Sequence, residues 1–289
     1  VLVVIVLGVK NGIEKANLVL VPALLAMAVA LSVYVATLPG AGAGIRYYLV
    51  PDFSSCDNVG KVVLGAMGQM FYSLSLAMGI MITYGSYMRR RDSVPKAAVR
   101  IVAADTFVAV LSGFMIIPVV VVFASAGAAE GGRTAIDAGP GLMFETLPKV
   151  FLSLGAAGPW IGLFFFTLVL FAALTSAISM TEALVAAVCD FFKTSRGKSV
   201  AVIGVWSVAI GALSAFGYGR WSSLKFFGLP PLDFFDTSMN ILTPIVAALI
   251  CVFVGWILSP KRILAECQRS GERVGFRLFY VVMVRFVAP

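Results

Sequence analysis

Three polar features interrupt the long apolar runs of this chain, and each sets oxygen atoms at a spacing that could hold a cation. The first is Gly68-Gln69-Met70-Phe71-Tyr72-Ser73-Leu74-Ser75-Leu76-Ala77-Met78-Gly79, within the uncharged stretch from Val62 to Met88. Glycines and small hydroxyl residues at bilayer depth are how a broken helix frees backbone carbonyls for an ion or an ammonium group. The second is Asp105, a carboxylate in an otherwise apolar run. A charge at that depth costs a few kcal/mol at least, so a partner or a function is expected for it. The third is Ala172-Ala173-Leu174-Thr175-Ser176-Ala177-Ile178-Ser179-Met180-Thr181-Glu182. There Ala172, Thr175, Ser176 and Ser179 share one helix face, and hydroxyls on one face suit a hard cation. Each feature has a second reading. Small residues also make seams where helices pack, and serines bond their own backbone. Asp105 could serve a structural ion pair, although no basic residue lies at comparable depth. Spacing alone leaves both readings open.

The elements that must position these residues are membrane helices. The chain is 60% hydrophobic with 12% charged residues, against about 25% in a soluble domain, and its mean hydropathy is +1.00. Six runs are expected to cross a bilayer, at about 17–38, 62–88, 97–127, 158–190, 199–219 and 234–258. Partial spans lie at 1–9 and 276–289, and an external loop with short helices, broken at Pro148, is expected over 128–156. All of this reads as one transmembrane domain. Val1 already sits in an apolar run with no initiator methionine, so we expect an internal fragment of a longer transporter-like protein.

The net charge of +8 invites a nucleic-acid reading, but its distribution argues against one. Basic residues collect in alternate loops, at 89–100, 191–198 and 261–277, while the intervening loops hold Asp52 and Asp57, then Glu130, Asp137 and Glu145, then Asp233 and Asp236. The positive-inside rule makes the basic loops cytoplasmic, in a multi-pass protein of the cell inner (plasma) membrane. The four cysteines show neither metal spacing nor a disulfide framework, and the absence of histidine removes imidazole chemistry. No phosphate-binding loop of the GxxxxGK[ST] type and no nucleophile–base pair is present, so neither ATP-driven transport nor an enzyme is expected.

The chain carries Leu38-Pro39-Gly40-Ala41, Pro51-Asp52-Phe53, the segment 68–76 with Thr83-Tyr84-Gly85-Ser86-Tyr87, Ser112-Gly113-Phe114, Leu174-Thr175-Ser176 and Phe276-Arg277-Leu278-Phe279-Tyr280. Together these stretches resemble the neurotransmitter:sodium symporter family, the sodium-coupled amino-acid transporters with the leucine-transporter fold. The resemblance covers nearly the whole chain, from the end of the family's helix four to the start of helix eleven. It implies an all-α inverted-repeat bundle without the N-terminal helices and the last helix. Segment 68–79 corresponds to the unwound part of helix six. Tyr72 corresponds to the aromatic lid over the substrate, and the carbonyls of Tyr72 and Ser73 would face its ammonium group. Ser75 would help hold that ammonium, while Met78 and Met180 would line a pocket for an apolar or aromatic side chain, with Ser176 close to the substrate. Ser73 would ligate a first sodium ion. The Ala172 carbonyl, Thr175 and Ser176 would belong to a second sodium site. Asp236 corresponds to the acid of the external gate.

Asp105 departs from the family pattern, which has an asparagine there as a ligand of the first sodium. Four residues on, where chloride-dependent members carry a serine, this chain has Ala109. The resemblance therefore implies that Asp105, beside Gln69 at the family's chloride position, ligates sodium and supplies the negative charge itself. A cation at bilayer depth needs a nearby anion, and chloride would then be unnecessary. The function implied is sodium-coupled symport of an amino acid by alternating access. A transport-inactive scaffold and a channel on the same frame are the competing readings; a channel would want a continuous polar stripe along several helices. Which amino acid, the sodium stoichiometry and the oligomeric state are not read from these residues.

Overall fold

The apolar runs fold into helices whose ends fall at the polar and proline-bearing turns, as the computed structural model shows for residues 1–51, 59–89, 92–125, 141–217, 219, 221, 223–268 and 277–287. In chain order the helices are α1 (Leu2–Val6), α2 (Glu14–Ala36), α3 (Ala41–Leu49), α4 (Val59–Ser73), α5 (Ile80–Tyr87), α6 (Val94–Ser125), α7 (Leu147–Ser153), α8 (Gly158–Phe192), α9 (Arg196–Gly217), α10 (Pro231–Val252), α11 (Pro260–Gln268) and α12 (Arg277–Val282). Among the described residues the extended pairing amounts to an isolated bridge between Phe226 and Leu229. Among the described residues, five stretches are long and apolar enough to cross a membrane: Asn11–Ala36, Val94–Val122, Gly155–Phe192, Arg196–Gly217 and Pro231–Ile257. The run 62–88 is not among them because it is not one helix: α4 stops at Ser73 and α5 starts at Ile80. The acidic residues Asp52, Asp57, Glu130 and Asp137, the basic residues Arg90, Arg91, Arg269 and Arg273, and Cys56 lie outside the described residues.

The chain divides into two units, with the boundaries falling inside α6 and α8. One unit comprises Val9–Asp57 and Ala104–Ala177, and the other Val1–Gly8, Asn58–Ala103 and Ile178–Pro289. In the first of these, α2, α6 and α8 pack with α7 around Ala28, Leu31, Met115, Val120, Leu147, Phe151, Ile161, Phe165 and Leu168. A π-helical turn, Leu142–Thr146, gives way to α7 just before Pro148. Pro148 occupies the first turn of α7, where its fixed φ suits the start of an α-helix. The buried Ser32 hydroxyl donates to the Leu111 carbonyl at 3.2 Å, which satisfies that polar group inside α2's packed face. Close approach of α3 to α6 depends on two glycines. A Cβ on Gly44 would lie 2.4 Å from the Pro118 Cα, and one on Gly113 would lie 2.2 Å from the Tyr48 ring.

In the other unit, Ile5 of α1 is buried with Val185 of α8 and Val200 of α9. α10 contacts α4 and α9, and Gly217 at the end of α9 lies against the Pro231 ring that starts α10. Both α10 and α12 run on into π-helical turns, Phe253–Ile257 and Met283–Val287, which pack on each other.

The glycine contacts give a paired expectation. Gly44→Ala should destabilise the protein by about 1–3 kcal/mol, because the Pro118 backbone cannot move aside cheaply. Gly42→Ala, two residues earlier with open space around its Cβ, should be neutral or slightly stabilising. Thermal unfolding of the two variants in detergent checks this. Equal melting temperatures would show that α3 does not rest on Pro118.

Candidate functional site

Among the described residues, the break between α4 and α5 gathers the most left-handed backbone. Ser75 (φ 53°), Ala77 (φ 61°) and Gly79 (φ 79°) all take left-handed conformations within five residues. For the two that carry a Cβ this costs on the order of 1–3 kcal/mol each. The Ser75 N–H reaches back to the Tyr72 carbonyl at 3.1 Å and the Leu76 N–H to the Phe71 carbonyl at 2.9 Å, which closes the end of α4. Gly79 then caps α5, its carbonyl accepting from the Thr83 N–H at 2.9 Å. Among the described residues, the carbonyls of Leu74, Ser75, Leu76, Ala77 and Met78 accept no backbone hydrogen bond. The interruption is shorter than the segment 68–79. Gln69, Tyr72 and Ser73 are still helical, and the Tyr72 carbonyl already takes one donor.

The half-helices on either side are held by tyrosine hydroxyls. Tyr72, near the end of α4, lies 3.4 Å from the Asp236 carbonyl and 3.5 Å from its Oδ1, and Asn240 donates to Asp236 Oδ2 at 3.1 Å. The Asp236 carboxylate is therefore addressed from two sides. On α5, Tyr84 pairs with Ser179 at 3.2 Å, and Tyr87 donates to Glu182 Oε1 at 2.8 Å. Glu182 is 0% exposed, and its other oxygen meets Arg196 Nη2 at 2.5 Å; Arg196 Nε in turn donates to the Ile5 carbonyl at 2.9 Å. One buried carboxylate thus ties together α1, α5, α8 and α9. The sequence showed Glu182 only as the end of a polar helix face. Its partner lies 14 residues on, beyond the turn between two helices, so no local spacing could reveal the pair.

An open cavity of about 530 Å³ runs along this side of α5 and α8, with Met78, Thr83, Tyr87, Leu184, Asp190 and Arg196 in its wall. Met78, expected in a substrate pocket, lines it, whereas Met180 is exposed on α8. Ser73 ends α4. Of the remaining residues singled out from the sequence, Asp105, Ala172, Thr175 and Ser176 belong to the unit containing 104–177. Asp105 is half-buried on α6. On α8 the Thr175 hydroxyl donates to the Ala172 carbonyl at 2.9 Å, which brings those two oxygens side by side, while Ser176 is exposed.

Residues 1–289 match the protein family described as the sodium:neurotransmitter symporter family. A sodium-dependent transporter of Bacillus subtilis, YhdH, described as uncharacterized, is 35% identical over 99% of this chain and 61% of its own length. A relative of the same description from Haemophilus influenzae is 33% identical over 99% of this chain and 60% of its own. The sodium- and chloride-dependent glycine transporter 1 of Xenopus laevis is 29% identical over 88% of this chain and 39% of its own. The crystal structure of MhsT in complex with L-phenylalanine superposes with a TM-score of 0.84 at 34% identity, covering 100% of this chain and 63% of that one. The chain thus spans about 60% of the length of the curated bacterial relatives it matches.

The carboxylate network gives the next prediction. Glu182→Ala leaves Arg196 without its anion and Tyr87 without an acceptor. Because the Arg196 side chain keeps 33% of its surface in contact with solvent, the loss should be about 2–3 kcal/mol, below that of a fully buried pair. The double variant Glu182→Ala/Arg196→Gln should recover part of it. Calorimetry on the four species of that cycle measures the coupling, and additive losses would mean that the pair contributes nothing.

Proposed function

The chain belongs to the sodium:neurotransmitter symporter family, and from that premise we propose that it works in sodium-coupled symport of an amino acid with an apolar or aromatic side chain. Members of the family are transporters, not enzymes, and the fold is all-α of the leucine-transporter type. The observation that carries the proposal is the run of carbonyls from Leu74 to Met78 with no backbone donor, set in the middle of an uncharged stretch. Irregular backbone at membrane depth persists where it lines a cavity or meets a ligand, and an ammonium group or a sodium ion supplies what such carbonyls lack.

The remaining roles follow the same chemistry. Ser75 assists in holding the ammonium group, and the Tyr72 ring closes over it, steered by its hydroxyl contact with Asp236, the acid of the outer gate. Met78 and Met180 offer soft, adaptable apolar surface to the side chain, with Ser176 beside the substrate. The L-phenylalanine complex of MhsT supports an apolar or aromatic substrate. Ser73 and Asp105 ligate one sodium ion, and the Ala172 carbonyl, Thr175 and Ser176 ligate a second. Asp105 also provides the fixed negative charge, so that with Gln69 at the chloride position no chloride is needed. Sodium and substrate arriving from outside stabilise an occluded state, and rocking of a helix bundle then opens the inner side. The loops 89–100, 191–198 and 261–277 face the cytoplasm of the cell inner (plasma) membrane, by their lysine and arginine content.

The test is uptake of radiolabelled phenylalanine and leucine into proteoliposomes holding the full-length protein, with an inward sodium gradient and gluconate replacing chloride. Sodium-driven, saturable and chloride-independent uptake is expected. Asp105→Asn should weaken sodium activation by about tenfold or make uptake depend on chloride, the size expected for removing a charged ligand from a buried ion. Uptake with no response to sodium would sink the symporter reading. Strict chloride dependence of the unmodified protein would sink the role given to Asp105.

A further inference from the structure

Arg285 is a cation inside the last apolar run, and the mechanism above makes no use of it. It lies in the π-helical turn Met283–Val287, against the matching turn at the end of α10. Its Nε donates to the Gly255 carbonyl at 2.8 Å, and its guanidinium carbon stands 5.7 Å from the centroid of the Trp256 ring. The Trp256 ring in turn meets Phe286 edge-on at 5.9 Å. Gly255 permits this approach, since a Cβ there would be 3.1 Å from both Arg285 Cγ and the Val284 carbonyl.

A guanidinium carries five N–H donors in a fixed fork, and here one of them is used. Among the described residues, neither Nη finds an acceptor and no carboxylate is bonded to Arg285. Trp256 is 60% exposed and Phe286 68% exposed, so the ring that faces the cation and the ring beside it are both exposed. Trp256 stands next to the end of the apolar stretch Pro231–Ile257, and Lys261 and Arg262 follow shortly after. That is the level at which hydrocarbon gives way to headgroups and where tryptophan belts sit. An unpaired guanidinium there calls for an anion, and the anion the membrane itself supplies at that depth is phosphate.

We propose that Arg285 and Trp256 form a binding site for one phospholipid, with the Nη pair holding its phosphate bidentately and an acyl chain covering Trp256 and Phe286. The exposed rings select a lipid over free phosphate, because an acyl chain covers them and inorganic phosphate does not. The uncompensated positive charge selects an anionic headgroup such as phosphatidylglycerol over phosphatidylcholine. This inference rests on the membrane placement of α10 and not on the identity of the transported amino acid.

Native mass spectrometry of the full-length protein tests it, with phosphatidylglycerol or phosphatidylcholine added back after delipidation. The unmodified protein should retain one phosphatidylglycerol that Arg285→Gln loses, with occupancy falling about tenfold, and Arg285→Lys should be intermediate because its point charge cannot bind as a fork. If Arg285→Gln does not fold, the unmodified protein decides alone: phosphatidylglycerol should raise its melting temperature more than phosphatidylcholine does. Equal occupancy in the unmodified protein and Arg285→Gln, or equal stabilisation by the two lipids, overturns the proposal. So does inorganic phosphate protecting as well as phosphatidylglycerol, which would mark an anion site without a lipid. Sodium-driven uptake measured on the same preparations keeps the two readings apart, because lipid retention without uptake would count against symport alone.

Discussion

A carbonyl oxygen in hydrocarbon must find a donor or a cation, and this requirement governs how the stretch from α4 to α5 is built. A continuous helix from Val59 to Tyr87 would have met it automatically. Instead the chain stops at Ser73, places Ser75 and Ala77 in strained left-handed backbone and restarts at Gly79. Five carbonyls are left without a backbone donor, next to hydroxyls and an aromatic ring. Strain of this kind persists only where the surrounding structure over-determines it.

That over-determination comes largely from tyrosines. Tyr72 anchors the end of α4 to α10 through Asp236, while Tyr84 and Tyr87 anchor α5 to α8 through Ser179 and Glu182. The two halves of one interrupted stretch are thus bonded to different helices. Each anchor joins an amphipathic ring to a group that would otherwise be a polar atom without a partner in an apolar setting. Glu182 is the strongest case. Fully buried, it is tolerable only because Tyr87 and Arg196 approach its two oxygens separately, and Arg196 passes the connection on to the α1 backbone. The pliable part of the stretch is therefore the turn between the anchors, where the free carbonyls lie.

The helices themselves were legible in the sequence because membrane spans are long apolar runs with charged or proline-rich ends, and α2, α6, α8, α9 and α10 follow that pattern. The position of the break was less legible. Gly68 and Gly79 bracket the polar segment, but Gly68 lies inside α4, and the residues that take positive φ are mainly a serine and an alanine, whose types give no such signal. Pro148 marks the change from the π-helical turn Leu142–Thr146 to α7, as a proline in the first turn of a helix can. Long-range pairs were out of reach. Nothing in the text of the chain joins Tyr72 to Asp236, 164 residues apart, or Arg285 to Gly255, 30 apart, until the helices are packed.

The hydroxyl face of α8 shows how a bond that looks like the bland explanation can also serve the chemical one. The Thr175 hydroxyl gives its proton to the Ala172 carbonyl, the back-bonding expected of any threonine inside an apolar helix. A hydroxyl can ligate a cation only through its oxygen, so its proton must first be given to some other acceptor. The Ala172 carbonyl takes that proton beside the Ser176 N–H that the α-helical ladder brings to it. The bond therefore sets two oxygens side by side, 2.9 Å apart. In the proposed second sodium site this pair is the rigid edge of the coordination shell, and the exposed Ser176 beside it is the ligand left to adjust as the ion enters.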